Sequence, residues 1–350
     1  MKSLTIAVML AAVGAAGAHA QLAKALDLND RGNRAAEEGK MDEAIGLYRE
    51  SLDIWRASGP EYDAHRAGSL FNLSIVMSAA GNRVDAVRVM EESLALHRKT
   101  LGPTHHRTIS NMNLLASNYL VIGRVDESEA MFREVMPVAR ELYPKDIQMA
   151  RALEGLCSVL IRRGKPQEGI ALAEEALAIA VPAAGADSLD AGLAYANVAE
   201  ALRASGQPER SLPLFRKSRA LYEKTLGPDH PRVAALLSQE GMLFLEDGKT
   251  AMAERLMTRA IEALDRSCPK CNLERANAEN NLAVLRLRQK KYREAGELLT
   301  HVVALRENNS KPGQELAETL KLLAAVRQKE KRFDDAERLV RRADVILGYR

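Results

Sequence analysis

Aromatic side chains are scarce in this 350-residue chain, which has five Phe, eight Tyr and a single Trp. So few flat rings argue against a stacking platform for bases or sugars. Cysteine is scarcer still, at three, too few for a disulfide framework. Neither sign of charge dominates: 50 Lys and Arg oppose 47 Asp and Glu, so no global field draws in nucleic acid and a histone-like polycation is excluded. With 47% hydrophobic residues, a disordered tail protein is excluded as well. His-Glu-x-x-His, Gly-x-Ser-x-Gly and the phosphate-cradling Gly-x-x-x-x-Gly-Lys-Ser/Thr are all missing. The histidines offer little instead. His105, His106 and His230 stand between helical segments, His65, His97 and His301 are isolated, and none has a metal partner at ligand spacing. No metal, cofactor or catalytic residue is expected, and the chain reads as a non-enzyme.

Long apolar runs are also absent after the first twenty residues. There, Lys2 supplies a positive start, Leu4 to Val13 an apolar run and Ala18-His19-Ala20 a small-x-small cleavage site before Gln21. The run is shorter than the roughly 20 residues of a spanning helix, and no Cys follows it. Residues 1–20 are therefore expected to be a cleaved signal peptide, leaving a soluble periplasmic or secreted protein of residues 21–350 without a membrane span.

What the chain does contain is a repeat. Gly39…Ala44, Gly81…Ala86, Gly123…Ser128, Gly164…Gly169, Gly206…Ser211, Gly248…Ala253, Lys290…Ala295 and Lys331…Ala336 recur every 41 or 42 residues. Seven residues before each of these turns sits a small residue: Gly32, Ser74, Ala116, Cys157, Ala199, Gly241, Ala283 or Ala324. A third small or β-branched position follows in each unit, among them Ser51, Ser93 and Ser218. Such positions mark places where two helices come too close for a large side chain. In the second unit Leu70, Leu73, Val76 and Met77 form one apolar stripe, and Val84, Val87, Met90 and Leu94 resume it after Gly81. Each unit thus reads as two amphipathic helices around a short turn ended by Gly. Lys290 and Lys331 depart from that glycine pattern.

Between units, Leu101-Gly102-Pro103-Thr104-His105-His106 and Leu226-Gly227-Pro228-Asp229-His230-Pro231 are near copies, and Ser58-Gly59-Pro60-Glu61 is a fainter one. Gly ends the outgoing helix, Pro stops its continuation, and Thr104 or Asp229 stands where a cap for the next helix is expected.

With those residues in view, the chain resembles the tetratricopeptide repeat (TPR) family, in the 42-residue form of kinesin light chains. Lys99-Thr100-Leu101-Gly102-Pro103 and Lys224-Thr225-Leu226-Gly227-Pro228-Asp229-His230-Pro231 are similar to the light-chain connector. The resemblance implies an all-α, right-handed superhelical solenoid of about eight helix-turn-helix repeats, read as one domain over 21–350. The repeats fall near 25–58, 67–101, 109–142, 150–181, 192–226, 234–266, 276–308 and 317–348. Pro213 inside the second helix of the fifth unit, and Val181-Pro182-Ala183-Ala184-Gly185 in place of the connector before it, lead us to expect a kink or altered stacking there.

The family also implies that partners bind the inward side of each first helix. Counting from the small marker, the candidate groove residues are Asn29, Asn33, Asn113, Ser117, Arg162, Glu200, Arg203, Asn280 and Arg288, with Glu154, Ser158, Lys321 and Gln328 on the same register. Asn can pair with an extended peptide backbone and Arg with a carboxylate; a merely solvated polar face is the alternative. Asn72, Asn197 and Asn281 are expected to bond within their own repeats.

One motif stands apart. Cys268-Pro269-Lys270-Cys271 lies between units six and seven, where an oxidising compartment would favour a loop disulfide. A redox role would need a thiolate tuned by its surroundings, which the sequence does not supply. Cys157, on a close-packing position, is expected to be a buried, inert thiol. The expected function is an exported scaffold binding a protein or peptide through its groove. A thiol-active periplasmic factor, and an accessory module of envelope or secretion machinery, stay open as alternatives.

Overall fold

The structure, a computed structural model, describes residues 2–268, 271–309 and 313–347, with side chains from Ala20 onward apart from Asn308 and Asn309. Sixteen α-helices form eight pairs, and no strand occurs among the described residues. The pairs are α1 (Lys2–Glu37) with α2 (Met41–Ser58), α3 (Asp63–Ala79) with α4 (Arg83–Leu101), α5 (His106–Val121) with α6 (Val125–Leu142), and α7 (Ile147–Arg162) with α8 (Pro166–Ala184). They continue as α9 (Leu189–Ala204) with α10 (Pro208–Leu226), α11 (Pro231–Glu246) with α12 (Thr250–Ser267), α13 (Asn272–Arg288) with α14 (Tyr292–Asn309), and α15 (Gln314–Lys329) with α16 (Phe333–Leu347).

The turn inside every pair has one hydrogen-bond pattern. The residue after the turn position donates its N–H to a carbonyl five residues back, as in Arg124 to Tyr119 (2.8 Å), Gln207 to Leu202 (2.9 Å) and Lys291 to Arg286 (2.9 Å). This closure requires a left-handed residue at the turn, where glycine has no Cβ to clash. Gly123 takes φ +83°. Lys290 and Lys331, which depart from the glycine pattern, adopt φ 60° and 64° all the same, so the turn is kept at the cost of strain in two lysines.

Between pairs the outgoing helix ends with an N–H four residues on from its acceptor, whatever residue stands there: Gly102 to Arg98, Gly185 to Val181, Gly227 to Glu223, Tyr143 to Ala139 and Cys268 to Leu264. α8 runs on through Pro182 to Ala184, so Val181–Ala184 is helix and only Gly185 (φ +93°) begins the connector. α10 is continuous through Pro213. The start of α11 corrects the expected cap: His230 Nδ1, not Asp229, accepts the N–H of Arg232 (3.1 Å). Asp229 instead holds Arg266 (2.8 and 3.0 Å). At α5 His105 Nδ1 takes the N–H of Arg107 in the same way.

Helix contacts divide the chain into two compact units that meet in sequence between Leu115 and Ala116, inside α5. In the first unit α1 packs on α2, α2 on α3 and α3 on α4 around Leu28, Tyr48, Leu52, Leu70 and Met77. In the second unit each helix from α6 to α16 packs on the next, and first helices also touch one another, α7 on α9 and α11 on α13. Its core runs through Phe132, Val198, Phe215, Leu237, Met257, Leu299 and Leu320.

The small positions are where backbones approach. A Cβ on Gly241 would lie 3.3 Å from the carbonyl oxygen of Ala253, and one on Gly32 would lie 2.9 Å from the Tyr48 ring. Where the small residue is serine, its hydroxyl also bonds across the gap: Ser51, Ser93 and Ser218 donate to the carbonyls of Ala25, Ala67 and Gly192 (2.7–2.8 Å), and Ser128 and Ser211 to those of Ala116 and Ala199 (2.7 Å).

Two outcomes follow for stability. Ala199→Leu, at a fully buried position, should overpack its pair and cost about 1–3 kcal/mol, whereas Glu92→Leu, about half exposed, should shift stability by less than about 0.5 kcal/mol; equal melting shifts would refute the assigned register. Lys331→Gly should raise the melting temperature, relieving about 1 kcal/mol of left-handed strain, and Gly123→Ala, with open space around the new Cβ, should lower it by a similar amount, both read by thermal denaturation.

Candidate functional site

In the second unit first helices lie against one another, α7 on α9 and α11 on α13, and α15 comes back to α7. Arg162 at the end of α7 makes an ion pair of 3.2 Å with Glu315 in the first turn of α15, although 153 positions separate them. Side chains on the inward sides of α7 and α15 therefore face each other across a narrow space. Most candidate groove residues of this unit already have protein partners. Arg203 clasps Glu200 through two hydrogen bonds (2.9 and 2.6 Å), which hold the guanidinium in its charged form against burial, and it lies 3.8 Å from Glu246. Exposed Arg288 reaches from α13 to the carbonyl of Leu245 near the end of α11 (2.8 Å). Lys321 pairs with Asp344 (3.1 Å). Ser117 and Gln328 are exposed, Ser158 bonds to the carbonyl of Glu154, and the amide of half-buried Asn280 has no partner among the described residues.

Glu154 is the most perturbed acid. Only 6% exposed, its carboxyl is pushed up to about 8 by burial and by nearby Asp190, with an opposing hydrogen bond from Asn197 and the field of Arg151. It is therefore largely neutral at pH 7. Asn197 thus reaches back from α9 to α7. Asn281 does the same from α13 to Ser238 on α11 (3.0 Å), and Asn72 from α3 to Asn33 on α1 (3.2 Å). These three asparagines bond to the preceding pair, not within their own repeats as expected, because the first helices stand side by side at hydrogen-bonding distance.

In the first unit, Asn33 also accepts the Tyr48 hydroxyl (2.7 Å) and Asn29 the hydroxyl of Ser69 (3.1 Å). Asn113 is 3% exposed, inside the core of α5 and not on an open face, because its position on the helix points at neighbours that the small-residue count does not locate. The same unit contains a cavity of about 390 Å³ between α1, α2, α3, α4 and α5. Its floor is the indole of Trp55, stacked on His65 at 4.8 Å and 13° and on Tyr62 at 5.9 Å. Phe71 meets His97 edge-on at 6.3 Å, and Arg107, Asn29 and Asn72 complete the polar wall. Burial and the field of Arg107 keep His97 below the ordinary imidazole range. Trp55 and His97 lie on second helices, which the rule used to pick groove positions leaves out; the chain's single Trp with His65 ten residues on was the available signal.

Cys268 and Cys271 form a disulfide, Cα atoms 5.3 Å apart, joining the end of α12 to the start of α13. The two residues between them lie outside the described residues. Cys157 is fully buried beside Gly169, and burial, with Glu154 and Glu200 nearby, pushes its thiol up to about 12. No cluster of three or more His, Cys, Asp or Glu able to hold a metal occurs among the described residues, and none of their helices is long and apolar enough to cross a membrane.

The family model described as "Tetratricopeptide repeat" matches residues 25–99, 65–141, 148–224, 190–266 and 274–343, well over half of the chain. The chain belongs to the tetratricopeptide repeat family. The TPR array is similar to BtubC (BKLC) from P. vanneervenii, at 21% identity over 64% of this chain and 91% of that one, with a TM-score of 0.51. It is also similar to a Rap protein complexed with Competence and Sporulation Factor, at 13% identity over 95% of this chain and 98% of that one, TM-score 0.64. Both likenesses concern the fold. A "Clustered mitochondria protein homolog" of Lodderomyces elongisporus is 27% identical over 151 residues, 42% of this chain, so the TPR chain spans about a tenth of that relative's length (11%).

The shifted groups set opposite pH trends. His230 lies below its ordinary value of 6.5, first through burial and then through Arg232, so the unfolded chain binds more protons and stability falls as pH drops below about 6.5. His230→Asn, which keeps a capping oxygen, should flatten that fall in chemical denaturation. Glu154 is raised, so its contribution is full at low pH and is lost as pH climbs from 4.5 through about 8. Glu154→Gln should therefore stabilise the protein at pH 8.5, on the order of 1–3 kcal/mol, and change little at pH 5.

Proposed function

We propose that this TPR protein is an exported, non-enzymatic scaffold that holds a protein or peptide partner outside the cytoplasm. The observation that carries this reading is the Arg162–Glu315 pair. It marks where α15 comes back to α7, and an extended segment entering the space between them would meet side chains from several repeats at once. The half-buried amide of Asn280 faces a peptide backbone entering there, and Arg162 exchanges Glu315 for a carboxylate on the partner. A Rap protein of the same fold is complexed with Competence and Sporulation Factor, which supports a partner-binding use of this architecture. Export rests on the N-terminal pattern of Lys2, Leu4 to Val13 and Ala18-His19-Ala20. Service within envelope or secretion machinery is the same activity with a different partner.

The purified chain, immobilised, should retain a specific partner from an envelope fraction, and Arg162→Ala with Glu315→Ala should change that retention at least several-fold while circular dichroism stays the same. Capture no greater than on an unrelated helical protein would end this reading. N-terminal sequencing of protein recovered from the source cells should begin near Gln21.

One placement favours a second reading: Cys271 is the N-cap residue of α13, where a released thiolate would sit at the positive end of a helix. A thiol-active factor would oxidise or reduce a model substrate, and Cys268→Ser with Cys271→Ser would abolish that exchange. We expect no exchange activity from the wild type and unchanged partner capture by the double variant.

A further inference from the structure

We propose that the cavity of the first unit binds a carboxylate attached to a flat apolar group. This site is separate from the space lined by α7 to α15, and the argument for it does not rest on the scaffold reading. Its volume, about 390 Å³, falls within the range of pockets that enclose small ligands or a single side chain.

Three features of the wall point to the same ligand chemistry. The first is charge. Arg107 is exposed, and no carboxylate pairs with its guanidinium among the described residues, in a chain where most arginines are engaged by acids. No Asp or Glu lines the cavity among the described residues, so the field inside has one sign. A planar guanidinium matches a planar carboxylate through two parallel hydrogen bonds. A phosphate would call for further guanidinium or ammonium groups, and among the described residues the wall supplies only Arg107; burial and the field of Arg107 lower His97.

The second feature is a donor with nothing to bond. Trp55 is 2% exposed, and its indole N–H has no acceptor among the described residues. Buried indole N–H groups ordinarily find one, and an acceptor brought by a ligand beside this wall would satisfy it. The third is shape. His65 lies stacked on Trp55, and Phe71 stands edge-on to His97, so the apolar part of the cavity is faced by rings, to which a flat group packs with the least loss of freedom. The amides of Asn29 and Asn72 are already oriented by Ser69 and Asn33, which leaves the wall preorganised before a ligand arrives. The same chemistry could arrive as a free aryl acid or as the carboxy-terminal aromatic residue of a peptide.

Because Trp55 is the only Trp in the chain, its fluorescence reports on this cavity alone. Phenylacetate represents the free acid and N-acetylphenylalanine the chain end; phenylacetamide and N-acetylphenylalaninamide are their uncharged counterparts. Titrated into the full chain, at least one acid should change Trp55 emission with a dissociation constant of about 1 mM or below, and the matching amide should bind at least tenfold more weakly. Whichever acid binds identifies the source. Arg107→Gln should weaken that acid at least tenfold, and His65→Ala should weaken both acid and amide, while Arg255→Gln on α12 changes nothing. The proposal fails if neither acid alters the emission or releases heat in calorimetry, if acid and amide bind equally, or if Arg107→Gln leaves the affinity of the acid unchanged. None of these failures touches the partner capture described for the second unit.

Discussion

Close approach of two helix backbones, made once in each pair, is the constraint on which the architecture depends. At Gly241 a Cβ would lie 3.3 Å from the carbonyl oxygen of Ala253 on the paired helix, and at Gly32 2.9 Å from the ring of Tyr48. Where serine replaces glycine or alanine the approach gains a bond, since Ser51, Ser93 and Ser218 each reach a carbonyl 26 residues earlier. A hydroxyl buried this way is fully satisfied, so the small position tolerates polarity without the cost of an orphaned group. The turn that brings the helices together is equally constrained. Its left-handed residue is retained even where lysine must adopt it, because otherwise the second helix of the pair would leave at another angle and miss its partner.

Stacking then transmits this geometry along the chain. First helices lie beside first helices, and asparagines at one register reach back to the preceding pair: Asn72 to Asn33, Asn281 to Ser238, Asn197 to Glu154. In the second unit the accumulated rotation brings α15 back to α7, closing the Arg162–Glu315 pair. That bridge is partly exposed, so its direct contribution to stability is small; its significance is geometric. It also changes what a partner would meet, since Arg162, Arg203 and Arg288 are all engaged by the protein itself.

The repeat, the helical pairs and the sites of the turns were legible because they are local. A small residue every 41 or 42 positions and an apolar stripe at helical spacing are properties of the chain's own order. Side-chain partners were less legible. Asn113 sits on the same counted register as Asn29, yet it is buried while Asn29 borders a cavity. The cap of α11 fell to His230 and not Asp229 because Arg266, 37 residues on, draws the aspartate away. Trp55 and His65 come together across a connector whose path depends on how α3 docks on α2.

By itself, then, the sequence determined the all-helical repeat, its period, its turns and its close-packing positions, since each depends on residues within one unit and its immediate neighbour. Only the tertiary structure decided which polar side chains are spent on the protein and which remain for a ligand. The meeting of Arg162 with Glu315, the neutral state of Glu154 and the unpaired cation of Arg107 depend on small rotations summed over successive helices and on burial by residues distant in sequence, neither of which a single repeat encodes.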